Sequence, residues 1–420
     1  MMKTPVLLTL AMVTTAVVAA MQSPPQKFVP APVAPSDIVV RIEPVGVTPA
    51  KINPTSPVVA GTRLILIDQA GTLSVWTGER VEPLLGPKEV PAGLKLAGAG
   101  TERVLNAAAD AAGTTLYVTF IAANPPKDIP RRPSPREPDA WFVLYSFAFD
   151  GSRLSSPKPI TALQARTDGH MGGGLAVLPD GAVLMAIGDN GDSYEDGRQF
   201  SQDPSLHLAK LVRIDPSNGA TSIVALGVRC VQRLVVTGSG SDARLSFTDP
   251  GGWVSEELNS VAVSELAGAQ PLNFGWGRGV GGKSREGTFY IDQVGNSTEK
   301  IQTPEAGIAE PVAEFGREGA KAAAVSGPVI SATSFSRITA LFGELVSGGV
   351  FAVTSPLTVK RQPVYRVGLV TPEGKAITLK DLAGGERPDP RFFNFPDGTA
   401  GVLLERTGTF YKLTEQKPRS

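Results

Sequence analysis

The stretch LAVLPDGAVLMAIGD, residues 175–189, decides the fold. Two apolar runs, 175–178 and 182–187, flank the turn Pro179-Asp180-Gly181. Proline sets φ at the first corner of a turn, and Asp followed by Gly supplies the left-handed residues that a tight hairpin demands. Neither run carries a 3.6-residue period, so the stretch reads as an antiparallel hairpin. The same event recurs along the chain. RLILIDQAGTLSVWTG (63–78), LVRIDPSNGATSIVAL (211–226), YRVGLVTPEGKAITL (365–379) and FFNFPDGTAGVLLERTGTFYKL (392–413) each pair apolar runs around a turn rich in Pro, Asp, Asn or Gly.

Composition agrees. The 420 residues include 46 Gly and 36 Pro, and 42% are apolar. That supply of turn formers, with enough apolar residues for a core, predicts short elements and no long helices. Lys+Arg and Asp+Glu number 40 each. A chain without net charge lacks the basic stripe of a general nucleic-acid binder and the charge excess of a disordered tail. Its one cysteine, Cys230, forms no internal disulfide and reads as a small buried hydrophobe.

Repeated hairpins leave sandwich, barrel and propeller open. About 355 residues of them exceed one sandwich or small barrel, whereas a radial array of four-stranded sheets holds that length in one unit. The expected fold is all-β, a six-bladed β-propeller of four-stranded antiparallel sheets.

The N-terminus reads differently. MMKTPVLLTLAMVTTAVVAA (1–20) has Lys3, an apolar run from Val6 to Val18 and small residues before Met21, the pattern of a cleaved signal peptide. Residues 21–57 are Pro-rich and read as an extended tether, with a single propeller domain over 58–420. KDIPRRPSPREPD (127–139) reads as a solvated loop. Export to the periplasm or medium is expected, and no stable membrane insertion.

The segment GHMGGGLAVLPDGAVLMAIGDNGDSYEDGRQFSQDPSLHLAKLVRID (169–215) resembles the central motif of the soluble PQQ-dependent glucose, aldose and sorbosone dehydrogenases. That family shows His-x-Gly-Gly-Arg-Leu, a Pro-Asp-Gly turn, a Gly-Asp/Glu loop and Gln-Asp followed by Gly-Lys-x-x-Arg. Here the counterparts are 170–175, 179–181, Gly188-Asp189, Gln202-Asp203, Lys210 and Arg213. GVRCVQRL (227–234), TDPGGWVSEELNSV (248–261) and NFGWG (273–277) resemble three later family motifs in the same order.

The resemblance implies a six-bladed propeller that oxidises a sugar hydroxyl with pyrroloquinoline quinone (PQQ) and calcium and passes electrons to a separate external acceptor. His170 matches the general base, and an imidazole suits that work because its proton affinity lies near neutrality. Arg229 matches the arginine facing the cofactor, whose carboxylates call for cations able to grip planar oxyanions. Lys360 and the pair Arg387 and Arg391 fall where the family places further cofactor cations. Asp249-Pro250 stands where backbone oxygens would meet calcium, a cation that takes carbonyl and carboxylate oxygen. Gly188-Asp189 and the residues to 192 read as a plain turn, His207 as structural, and Trp253 and Trp276 as either core or sugar-stacking aromatics.

The chain also departs from the pattern. Thr101 stands near the expected catalytic-site Gln, Gly174 replaces the motif Arg, Cys230-Val231 replaces Asn-Pro, Arg233 the Gly that follows, and Thr248-Asp249 replaces His-Gly. These changes favour an alternative, a catalytically degenerate propeller that binds a carbohydrate or a protein. A calcium-dependent lactonase-like propeller is a third reading.

Overall fold

A computed structural model describes residues 31–48, 57–67, 73–78, 80–85, 95–96, 103–124, 131–132, 140–165, 170–189, 200–292, 298–316, 323, 326–330 and 332–417. The hairpin read at 175–189 forms. Val183–Ile187 pairs antiparallel with Gly172–Val177 and with Lys210–Ile214, and Thr221–Leu226 completes the meander. Gly181 takes φ 84°, as the Pro-Asp-Gly turn requires. Every residue of Val183–Ile187 is buried, which explains its unbroken apolar run: the sheet is covered on both faces.

Five further sheets follow the same plan. The first holds Val58–Ala60, Arg63–Ile67, Leu73–Trp76 and Val81–Leu85. The second is built on Arg103–Ala109, Thr115–Asn124, Ala140–Phe149 and Leu154–Ala165, and the meander above is the third. The fourth holds Val235–Thr237, Arg244–Pro250, Ser255–Ala262 and Ala313–Gly316. The fifth holds Ser326–Ile330, Ala340–Gly343, Val350–Val353 and Val364–Arg366. Pro390–Asn394, Ala400–Leu404, Thr409–Glu415 and Val39–Val47 make the sixth.

Apolar clusters join each sheet to the next. Val75 meets Phe120 between the first and second, and Ile121 meets Met185 between the second and third. Leu184 and Phe247 belong to the next cluster, then Phe315 and Phe342, then Leu341 and Phe392. The last cluster puts Phe393 of the sixth sheet with Leu66 of the first, so the six sheets close into a ring. This is a β-propeller, whose closure leaves no long exposed sheet edge. Phe315 and Phe351 stack at 4.2 Å. A buried Phe of this kind contributes about 1.5–3 kcal/mol through the apolar area it removes from water.

The N-terminal segment corrects the reading of 21–57 as a tether. Val39–Val47 lies between Thr409–Glu415 and Gly368–Val370, and Val33–Ala34 pairs with Val364–Arg366. The N-terminal strand therefore joins the sheet built by the last C-terminal strands, and the domain begins well before residue 58. Buried Val40 and Ile42 alternate with exposed Arg41 and Glu43, a period-2 signal set among prolines. Pro44 sits at a register shift opposite Tyr411, where a missing N–H is tolerated. The expected signal peptide, residues 1–20, lies outside the described residues, as do residues 21–30 and most of the 127–139 loop. Among the described residues no helix is long and apolar enough to cross a membrane.

One feature was not legible. Between the last two strands of the fourth sheet the chain inserts a separate four-stranded sheet, Gly279–Val280, Lys283–Glu286, Phe289–Asp292 and Thr298–Lys300. Fully buried Arg285 ties it to Glu310 at 2.8 Å and to Glu305. Glu286 accepts from the backbone N–H groups of Trp253, Val254 and Ser255, which fixes the loop after Pro250.

Candidate functional site

His170 stands at the start of the innermost strand of the third sheet with φ 38°, a left-handed conformation uncommon outside glycine. The chain around it is packed too closely for side chains. A Cβ on Gly188 would lie 1.6 Å from the His170 carbonyl oxygen, and one on Gly172 would lie 2.8 Å from the Gly188 nitrogen. These glycines let the His170 turn lie flat on the end of the neighbouring strand. Asp189, the next residue there, is then at hand.

Asp189 Oδ1 lies 2.9 Å from His170 Nδ1, and Arg229 Nη2 lies 2.9 Å from His170 Nε2. A carboxylate only accepts and a guanidinium only donates. Both contacts are satisfied together by one species: a neutral imidazole that carries its proton on Nδ1 and offers the Nε2 lone pair. Asp189 Oδ2 accepts from Trp276 Nε1 at 2.9 Å, and the Arg229 guanidinium lies over the Trp276 ring, 5.2 Å from its centroid. Trp276 is therefore a buried structural partner of the site. The role of Asp189 went unread because Gly-Asp beside Asn and Gly looks like a turn. The signal that could have found it was its place at the end of the strand facing His170.

Arg229 is held through its backbone by Asp249. The two Asp249 carboxylate oxygens accept from the N–H groups of Arg229 and Cys230, each at 2.7 Å. Burial pushes the Asp249 carboxyl up to about 7, against the pull of those donors. Burial also pushes Glu257 up to about 8, with the Asp249 charge adding to the effect. The buried Cys230 thiol is pushed up to about 11, which suits an inert core residue.

The other motif residues build the frame. Gln202 and Asn273 exchange amide hydrogen bonds, and Gln202 Nε2 donates to the Trp276 carbonyl at 2.8 Å. Lys210 Nζ donates to the carbonyls of Phe200, Ser201 and Leu208, and burial draws it down to about 7. Arg213 pairs with Asp180 of the Pro-Asp-Gly turn at 2.8 Å. Exposed Trp253 is fixed through its backbone by Glu286.

Of the expected cofactor cations, Lys360 lies away from His170, and Arg387 and Arg391 each engage a carboxylate of their own. Lys360 Nζ donates to the Ser260 carbonyl at 2.6 Å. Ser260 pairs with Ser246, whereas Arg229 reaches Pro250, four residues further along that strand, a separation of about 13 Å. The C-terminal register that suggested Lys360 thus puts it toward the other end of the ring. Arg387 pairs with Asp389 at 2.6 Å and Arg391 with Glu405 at 2.8 Å. Both arginines flank the start of the sixth sheet's inner strand, each with its own carboxylate. Thr101 lies outside the described residues, as do 190–192.

Two of the departures are neighbours in space. A Cβ at Gly174 would lie 3.3 Å from the Arg233 nitrogen and 3.1 Å from the Val231 carbonyl oxygen. The position that loses the motif arginine is in backbone contact with the position that gains one.

The donor set suits the reacting end of an ortho-quinone and a hydroxyl substrate: an oriented imidazole lone pair beside a guanidinium whose buried Nε has no hydrogen-bond partner. It does not suit calcium. The Pro250 carbonyl already faces Arg229 Nη1 at 3.3 Å, and the Asp249 oxygens face backbone N–H groups. No cluster of three acidic, His or Cys side chains among the described residues is placed to hold a metal ion.

No protein-family model matches the chain, and no curated protein matches it in sequence. Solved structures do. A PQQ-bound aldose sugar dehydrogenase from Streptomyces coelicolor superposes with TM-score 0.59 and 14% identity, covering 91% of this chain and 100% of that one. A glucose dehydrogenase gives 0.59 and 18%, covering 90% and 99%. A Thermus thermophilus protein assigned as an oxidoreductase of glucose dehydrogenase type gives 0.57 and 16%, covering 89% and 99%. At such identities the likeness is one of fold, and over about nine-tenths of its length the chain takes the propeller fold of these sugar dehydrogenases.

Proposed function

We propose that the protein is an exported oxidoreductase that removes hydrogen from a hydroxyl of an aldose or related alcohol, with His170 as base, PQQ as redox group and a separate external electron acceptor. The observation that carries this reading is the His170–Asp189–Arg229 constellation at the start of an inner propeller strand. Asp189 holds the imidazole in the Nδ1–H form, so Nε2 is the atom that takes the hydroxyl proton. The imidazolium formed is stabilised by the Asp189 carboxylate. Arg229 must release Nε2 as the substrate hydroxyl arrives, and its guanidinium then remains beside the reacting carbon to stabilise developing negative charge on oxygen. The quinone, when bound, supplies the hydride acceptor. Arg229, the cation beside His170, would hold it.

Calcium has no place in this arrangement unless Arg229 leaves the Pro250 carbonyl. The test is therefore equilibrium binding of PQQ to the purified protein with calcium and with chelator, followed by dye reduction with a panel of aldoses. Saturable PQQ binding and sugar-dependent dye reduction are expected; no PQQ binding under either condition overturns the reading. The engagement of Lys360 by the Ser260 carbonyl and of Arg387 and Arg391 by Asp389 and Glu405 favours the second reading, a propeller that binds a carbohydrate without oxidising it. Sugar binding by protein that takes up no PQQ would establish it.

A further inference from the structure

The ring holds an open axial cavity that His170 does not line. It measures about 510 Å³ and is walled by the later residues of the inner strands, among them Asn106, Leu175, Val236, Ile330 and Phe395. His170 precedes Gly172–Val177, whereas this cavity is lined by Leu175–Val177 and by turn residues such as Gly238 and Gly398. It therefore reaches toward the opposite end of the propeller, while Pro57 and Arg233, which precede their inner strands, line its other end. Its size falls within the range of small-molecule sites, roughly 300–1,000 Å³.

The wall mixes Leu, Val, Ile and Phe side chains with polar groups and carries one charged side chain, Arg233. Arg233 Nη1 donates to the Pro57 carbonyl at 3.0 Å, and its Nε is buried with no hydrogen-bond partner. Among the described residues no carboxylate pairs with it, and burial alone draws its guanidinium down to about 10, so it stays charged at neutral pH. Arg233 is half-buried, and a cation with its Nε out of water and no counter-ion is costly; a cavity beside it gives an anion room to supply the missing charge. Asn106 adds no free donor: its Nδ2 already serves the carbonyls of Gly173 and Gln232.

We propose that this axial cavity binds a small organic monoanion, a carboxylate carried on an apolar body, with Arg233 as its anchor. The guanidinium takes the carboxylate through paired N–H donors, and the Leu, Val, Ile and Phe wall takes the hydrocarbon. A polyanion does not match the wall, which offers one cation.

Isothermal titration of the full chain with hexanoate, acetate and hexanol at neutral pH tests the inference. Hexanoate should bind saturably, at least tenfold more tightly than acetate or hexanol. In Arg233→Met, which keeps the stem and removes the charge, that preference should disappear. In His170→Ala hexanoate binding should persist, which separates this site from the proposed oxidation chemistry. Absence of hexanoate binding, equal binding of hexanol, or acetate binding as tightly as hexanoate would each overturn the proposal. Should Arg233→Met fail to fold, the comparison of hexanoate with hexanol in the unaltered protein decides alone.

Discussion

The Asp189 carboxylate lies 2.9 Å from His170 Nδ1 and joins that imidazole to the buried Trp276 indole through its other oxygen. One acidic side chain thus sets the tautomer of the only histidine at the site and ties it to the core. Asp189→Asn should keep the fold and lose the chemistry. An amide NH₂ facing Nδ1 favours the wrong tautomer, with the proton on Nε2, where it opposes Arg229. Sugar-dependent turnover should fall by about 10³–10⁴-fold, the scale at which a base-orienting carboxylate acts elsewhere. The melting temperature should change far less; a turnover loss that merely tracks unfolding would assign Asp189 a structural role only.

Gly188→Ala tests the close packing that brings these groups together. A methyl group there would sit 1.6 Å from the His170 carbonyl oxygen, so the 170–172 turn must move. A destabilisation of about 1–3 kcal/mol or more, typical of overpacking, should accompany loss of activity. Chemical denaturation measures it, and an unchanged midpoint contradicts the packing.

Stability should also report the buried carboxylates. Glu257 is pushed up to about 8 and Asp249 to about 7, both chiefly by burial. Between pH 5 and 7 the folded state keeps these protons and the unfolded chain, with ordinary carboxylates, does not. Raising pH through this window therefore lowers stability. Lys210, drawn down to about 7, acts in the opposite sense, but only above that value. Glu257→Gln should flatten the fall in melting temperature from pH 5 to 7 and raise it at pH 7. A profile identical to that of the unaltered protein would falsify the assignment.

The inserted sheet depends on one buried cation. Arg285 is fully buried between Glu305 and Glu310, and Arg285→Met leaves Glu310 with the Arg361 cation and Glu305 with the Tyr290 hydroxyl. The expected cost is about 3–5 kcal/mol, the range for breaking one side of a buried ion pair. Hydrogen exchange should show the loss first in 279–300. Uniform loss across the ring would contradict a local role.

The ring itself was legible in the sequence because Pro-Asp-Gly and Asn-Gly turns fix hairpins locally, and the fully buried strand at 183–187 announces sheets covered on both faces. That His170 and Arg229 meet has a similar local cause: each sits in a run of motif residues whose neighbours, Gly172, Gly188 and Cys230, serve backbone geometry. The N-terminal strand was hidden by the prolines around it, although Val40 and Ile42 alternate correctly with polar neighbours. The partners of Lys360, Arg387 and Arg391 were not legible, because a cation's partner depends on which carboxylate or carbonyl the fold brings to it, and local sequence does not encode that. The exchange between Gly174 and Arg233 was visible only as two separate departures until the backbone contact joined them.

Single-turnover reduction of bound PQQ by an aldose, in the unaltered protein and in His170→Ala, tests the central claim most directly. The account predicts reduction that slows by at least about 10²-fold in the variant, the lower end of what a general base contributes, with PQQ binding retained. Equal rates in the two proteins, or no reduction by any aldose in the unaltered protein, would contradict it.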